Sequence, residues 1–247
     1  MKPRSFRAIF WVGLLFAASL FGMPALRPVF AWAFPGVEPP VYSRSSFFEL
    51  WLSHAGLVAV SSGAAALVGL GLAIFVTRGG GREFRAAIDA VARIGQTFPP
   101  TTVLAIAVPI VGFGVTPTLI ALAIYGLLPV VESAITGFEG VPAAVLEAGA
   151  GMGLSPWQLF WKVELPLASP FILSGVRTSV IVNIGTAAIG STVGALTLGT
   201  PIISGLVGEK MPYVIQGTIV AGLFAILTDL LFERLDRVFR RHRVARG

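Results

Sequence analysis

Cysteine is absent from this 247-residue chain, which excludes disulfides, thiol catalysis and cysteine-ligated zinc. Histidine is almost absent too. His54 and His242 stand in unrelated contexts, so no histidine metal site is expected. Charge is scarce: Asp, Glu, Lys and Arg make up 12% of residues, about half of the ~25% a soluble domain carries. A surface that poor in charge faces something other than water. No G-x-x-x-x-G-K-[ST] sequence occurs, so the chain cannot cradle nucleotide phosphates as P-loop ATPases do. Neither His-Glu-x-x-His nor a paired set of intramembrane carboxylates marks a hydrolase, and no nucleophile–base pair is discernible. Energy for any vectorial work has to come from a partner. No internal repeat or low-complexity tract is visible.

What the chain has in abundance is apolar length. Hydrophobic residues are 55% of the total and the mean hydropathy is +0.85. At roughly 20 apolar residues per crossing, about six transmembrane helices fit, with no room for a soluble catalytic domain. The net charge of +6 and pI near 10.5 suggest nucleic acid at first sight. The basic residues, however, cluster at the ends of apolar runs, which argues for membrane topology and against nucleic acid.

The first run, Ala8 to Met23, follows Lys2, Arg4 and Arg7 and resembles a signal peptide. No clear small-x-small cleavage site precedes Pro24, so a retained first helix is expected. Residues 24–46 hold five prolines and read as an irregular external loop. Further spans are expected at Trp51–Val76, from Thr97 to Gly112–Gly114, at Thr116–Ile135, from Pro166 to Ile189 and at Tyr213–Phe232. Arg78–Arg93 reads as a polar connector, and Gly190–Lys210 as too broken for a simple lipid-facing helix. In domain terms this gives residues 1–46 as an N-terminal helix and loop, 47–233 as a membrane core and 234–247 as a basic tail.

Lys and Arg are retained on the cytoplasmic side. Fourteen fall on one side (Lys2, Arg4, Arg7, four arginines within 78–93, Lys162 and six in the tail), against Arg27, Arg44 and Lys210 on the other. Both termini are therefore expected inside, as six crossings require. The tail arginines Arg234, Arg237, Arg240, Arg241, Arg243 and Arg246 also suit anionic lipid.

This orientation puts Thr136–Glu164 in the cytoplasm, and the segment reads as two short helices. Pro142 suits a first helical position, Gly153 a left-handed stop, and Ser155-Pro156-Trp157-Gln158 a capping box. The result is a helix–turn–helix elbow joined to the span that starts at Pro166. On residues alone, an interfacial loop with Trp157 and Trp161 among the headgroups is an equal reading.

Glu147-Ala148-Gly149, then Gly153, then Val163-Glu164-Leu165-Pro166, resembles the EAA loop of permease subunits of binding-protein-dependent ABC importers. That pattern is Glu-Ala-Ala, three residues, Gly, nine residues, then Ile-x-Leu-Pro; Gly149 and Val163 depart from it. Gly149 in place of alanine is expected to loosen the helix by up to ~1 kcal/mol. A narrower resemblance, to the osmoprotectant subgroup that imports glycine betaine, choline or carnitine, rests on several motifs. They are Gln96-Thr97-Phe98-Pro99, Gly151-Met152-Gly153, Val163-Glu164-Leu165-Pro166-Leu167-Ala168, Gly175-Val176-Arg177-Thr178 and Asn183-Ile184-Gly185-Thr186-Ala187. Gly194–Gly199 is less glycine-rich than that subgroup.

The resemblance implies an all-α permease in the bacterial inner membrane, with Glu147, Ala148, Gly149, Gly153, Leu165 and Pro166 in the coupling loop. It implies cytoplasmic ATPase subunits that hydrolyse the ATP, an external (periplasmic) substrate-binding protein and a second permease, identical or similar. No cofactor on this chain is implied. Arg177, Asn183 and Thr186 are candidates for the translocation path; the structural alternative is a hydrogen bond to backbone carbonyls for Arg177, and hydrogen bonding between helices for Asn183 and Thr186. Asp229 and Glu233 are expected to pair with Arg234 or Arg237, and His54 to be an interfacial hydrogen-bonder. A same-fold permease for an amino acid, taurine or a phosphonate, and a non-transporting membrane scaffold, remain alternatives.

Overall fold

The computed structural model describes residues 3–244, with side chains over 6–237. Helices account for the regular structure, and no strand occurs among the described residues. They are α1 (Pro3–Phe21), α2 (Arg27–Ala33), α3 (Phe47–Thr77), α4 (Arg85–Thr97), α5 (Pro100–Val111) and α6 (Val115–Glu139). Then follow α7 (Ala143–Gly151), α8 (Pro156–Leu159), α9 (Leu165–Ala187), α10 (Gly199–Val207) and α11 (Met211–Val244). Four segments are long and apolar enough to cross a membrane: α3, α6, Pro156–Val193 and Met211–Arg237. Two sharply bent pairs, Phe6–Phe21 with Met23–Ala33 and Arg82–Thr97 with Pro100–Val111, bring the number to six if each is one broken span.

The third expected span therefore needs revision. α5 has 12 residues, about 18 Å at 1.5 Å per residue, too short for a ~30 Å hydrocarbon core. It is long and apolar enough for a crossing only when taken together with α4, which covers most of the polar segment Arg78–Arg93. Residues 24–46 likewise hold α2, begun by Pro28 in its first turn.

The chain divides into two compact units. The first comprises Met1–Ser61, Pro99–Leu122 and Ile181–Leu235. Its core is aromatic: Phe16 packs against Trp51 and Phe224, with Leu20, Met23 and Leu50 buried beside them. The proline-rich loop is pinned onto α11. Gln216 is fully buried, accepting from the Tyr42 backbone N–H (3.0 Å) and donating to Pro40 O (2.8 Å). Tyr213 Oη donates to Pro39 O at 3.0 Å. Backbone groups that prolines keep out of a helix thus find side-chain partners.

His54 lies in this core, fully buried, and is the hydrogen-bonder expected. Its Nδ1 accepts the Leu198 N–H (3.2 Å), so Nε2 carries the proton donated to Ile184 O (3.1 Å). Those contacts serve the broken stretch after α9, where Gly194 takes a left-handed φ of +90° that spares a side chain strain. Ala195, Thr197 and Leu198 of the same stretch are buried.

The second unit comprises Ser62–Phe98, Ala123–Val180 and Asp236–Gly247. Val76, Val131, Ala134, Ile135, Phe138 and Ala168 form its core. Here α4 runs antiparallel to α6: Arg85 pairs with Glu139, and Arg93 with Glu132 at 2.8 Å. Arg85 also lies 3.8 Å from Asp89 one turn on. Pro129 lacks the N–H that would bond Tyr125 O four residues back, and Gln96 Nε2 of α4 supplies it at 2.9 Å. In α9 Pro170 frees the carbonyl of Pro166 in the same way, and Ser169 Oγ donates to it at 3.1 Å. Both repairs suit helices immersed in lipid, where water cannot satisfy a stray carbonyl.

α6 and α9 touch at two glycines. A Cβ on Gly175 would stand 2.6 Å from Pro129 O and 2.7 Å from Ser133 Cβ. One on Gly137 would stand 2.9 Å from both Ala168 O and Phe171 Cβ. Only a missing side chain allows that approach.

Candidate functional site: the elbow and its anchor

The elbow forms from local signals. Pro142 takes an extended conformation (φ −62°, ψ 133°) and stands just before α7 as its cap residue, one position earlier than sequence suggested. Gly153 adopts φ +82°, the left-handed turn that lets the chain reverse. Ser155 and Gln158 then cap α8 reciprocally: Gln158 N–H donates to Ser155 Oγ (3.3 Å), and Ser155 N–H to Gln158 Oε1 (3.0 Å). Such a cap contributes about 1 kcal/mol.

Glu147 and Ala148 are exposed on α7, while Gly149 is buried between the two elbow helices. A Cβ on Gly149 would lie 2.6 Å from Leu159 Cδ1, so the glycine brings α8 closer to α7 than an alanine in an unshifted structure would allow.

α8 does not stop before α9. Phe160–Glu164 continues as a π-type turn straight into Leu165. The widened turn ends two residues before Pro166, whose missing N–H would leave the Lys162 carbonyl without an ordinary helical partner. Leu165 and Pro166 are half-buried, with Leu165 against the unit's core. The elbow and α9 are thus one continuous, locally underwound helix.

The anchor of this helix escaped sequence reasoning. Glu164 is 7% exposed, and Arg78, one residue beyond α3, grips it with both terminal nitrogens: Nη2–Oε2 2.6 Å and Nη1–Oε1 3.1 Å. The guanidinium also stacks over Phe160 (5.1 Å) and Phe138 (5.9 Å). A bidentate fork of this kind fixes direction as well as distance. The end of α3 is thereby tied to the base of the elbow. The only sequence signal was a carboxylate at the variable position of Val163-Glu164-Leu165-Pro166; nothing in the sequence pointed to its partner.

The three path candidates stand differently. Arg177, in the second unit, is half-buried on α9. Asn183, in the first unit, is fully buried and its Nδ2 donates to Ser61 Oγ at 3.3 Å, a bond that ties α9 to α3. Thr186 is half-buried in the same unit. Of the tail arginines, Arg234 lies 5.5 Å over the Phe6 ring. The side chains of Arg240, Arg241, Arg243 and Arg246 lie outside the described residues.

Residues 65–241 match the family described as binding-protein-dependent transport system inner membrane component. The osmoprotectant import permease protein OsmY of Salmonella typhimurium is 35% identical over 219 residues, covering 89% of this chain and 92% of that protein. The glycine betaine/carnitine/choline transport system permease protein OpuCB of Bacillus subtilis is 35% identical over 185 residues, covering 74% of this chain and 83% of its own length. Among solved structures, an inward-facing MetNI methionine ABC transporter matches with a TM-score of 0.68 at 22% identity, over 78% of this chain and 95% of that one. That likeness shows the fold. With an all-helical membrane architecture, an elbow held on its spans and a family match over most of its length, the chain belongs to the binding-protein-dependent transport system inner membrane components: it is a multi-pass permease subunit of an ABC importer, a transport protein and not an enzyme.

Proposed function

We propose that this permease imports an osmoprotectant-type solute, a quaternary amine such as glycine betaine or choline, delivered by an external binding protein. The names of the relatives support the substrate class. The observation that carries the mechanism is the unbroken helix from Pro156 to α9, gripped at Glu164 by Arg78. Glu147 and Ala148, with Gly149 and Gly153 shaping the elbow behind them, form the face an ATPase subunit engages. Closure of two such subunits around ATP pulls the elbow, and α9 tilts with it because no flexible joint intervenes. The chain itself takes up no cofactor. Residues 47–233 act as the transporting core, between the added N-terminal helix and loop and the basic tail. A second permease, identical or similar, completes a central path. Arg177 and Thr186 line that path, and Asn183 acts behind them by holding α9 to α3. Both termini are cytoplasmic.

One observation favours a second reading. Gly194–Gly199 departs from the osmoprotectant pattern, and a permease of the same fold for an amino acid, taurine or a phosphonate accounts for that departure.

The test is uptake of labelled choline and glycine betaine into proteoliposomes holding the permease, its ATPase and its binding protein. Wild type is expected to concentrate at least one of them, and Glu147→Lys to lower uptake about tenfold, a loss of ~1.4 kcal/mol of coupling contact. Accumulation of a different solute alone would overturn the substrate class. Failure of any ATPase subunit to co-purify would overturn the coupling role given to the elbow.

Orientation has its own check, made simple by the absence of native cysteine. Ala148→Cys should react with a membrane-impermeant maleimide in inverted vesicles and Ser43→Cys in right-side-out ones. The reverse pattern would refute the assigned topology.

A further inference from the structure

Away from the Glu147 face, a groove of about 420 Å³ opens between α3 and the elbow. One wall is Leu70, Ile74 and Arg78, spaced by four residues along α3 and its end; the other is Trp157, Trp161 and Leu165, spaced by four along the continuous elbow helix. Phe160 lies between them. The groove is apolar except at one end, where Arg78 keeps 42% of its side chain exposed while two of its nitrogens hold Glu164. A guanidinium carries five N–H donors, so donors remain on that exposed side. Beside it Trp157 and Trp161 are 69% and 50% exposed. Apolar residues deep, and a cation with indoles at the rim, form the gradient that a membrane interface presents.

We propose that this groove holds one phospholipid of the cytoplasmic leaflet, its phosphate at Arg78 and an acyl chain along Leu70, Ile74 and Leu165. Arginine pairs with phosphate through charge-assisted hydrogen bonds, and basic pockets beside spanning helices take lipid head groups. A soluble ATPase reaches the exposed face of α7, which contributes nothing to the groove. The groove's deep end lies on two strongly apolar spanning segments, out of reach of such a subunit. Assignment to the cytoplasmic leaflet rests on the orientation proposed above.

The permease–ATPase complex in nanodiscs of phosphatidylethanolamine and phosphatidylglycerol, doped with phosphatidylglycerol bearing a photoreactive diazirine in its acyl chain, tests this. After irradiation and peptide mapping, cross-links at Leu70–Ile74 and at Leu165 are expected severalfold above those at Leu67 and Val68, which are simply exposed on α3. Ile74→Trp, which fills the groove, and Trp161→Ala, which opens its wall, should each return the groove signal to the Leu67 level. The signal at Leu67 should not change. Labelling no greater than at Leu67 in wild type would overturn the proposal. So would labelling that appears in the free permease and vanishes with ATPase bound, because the groove would then be a protein seat. If the site is labelled but Ala148→Cys reacts from outside, the lipid site stands and only the leaflet assignment falls.

Discussion

Replacing Arg78 with alanine is expected to lower solute uptake more than tenfold. Its removal leaves Glu164, 7% exposed, without the partner that makes its burial tolerable. Breaking one side of a buried pair costs about 3–5 kcal/mol; Arg78 is itself 42% exposed, so solvent screening lowers this to about 2 kcal/mol. The larger effect is on coupling. Without the fork, the end of α3 no longer follows the elbow, and ATP hydrolysis in the reconstituted complex should exceed what uptake accounts for. Arg78→Lys should be intermediate, because an ammonium cannot make the bidentate contact. The exchange Arg78→Glu with Glu164→Arg should restore part of both stability and coupling, but not all, since the stacking on Phe160 and Phe138 favours the cation at position 78. Wild-type uptake by Arg78→Ala would show that the pair has no part in transmission.

Gly175→Val should remove most folded protein from the membrane. Its side chain would have to occupy space 2.6 Å from Pro129 O, a backbone atom that cannot swing aside. Overpacking of this kind costs about 1–3 kcal/mol and more when backbone must move, so Gly175→Ala should lower the detergent melting temperature and the valine variant should aggregate. Gly71→Ala is the control: nothing lies within 4 Å of its added carbon, and it should extract and melt like wild type. A Gly175→Val permease eluting as a single wild-type peak with an unchanged melting temperature would contradict the tight crossing of α6 and α9.

The elbow was readable because each of its signals is local. The cap needs only Ser155 and Gln158, the reversal only Gly153. Its attachment was not. Arg78 and Glu164 are 86 residues apart, and in sequence Arg78 is one of four arginines in a short polar stretch. The partners of the other arginines were equally hidden: Arg85 and Arg93 are matched by Glu139 and Glu132 on α6. Gln96 shows how close a sequence argument can come. Pro129 predicts an orphaned carbonyl at Tyr125; which donor relieves it depends on how α4 packs. The burial of His54 was illegible for the same reason, its partners being backbone groups at Ile184 and Leu198.

The π-type turn at Phe160–Glu164 carries one more consequence. A helix winds about 100° per residue, and a π turn houses a single surplus residue in that winding. The bearing of Trp157, and of everything before it, is therefore set by this surplus: tightening the turn to normal pitch would swivel the handle by roughly a quarter-revolution about α9 while leaving the shaft intact. Glu164 is the last residue of the turn, so the grip of Arg78 also acts as a detent on that rotation.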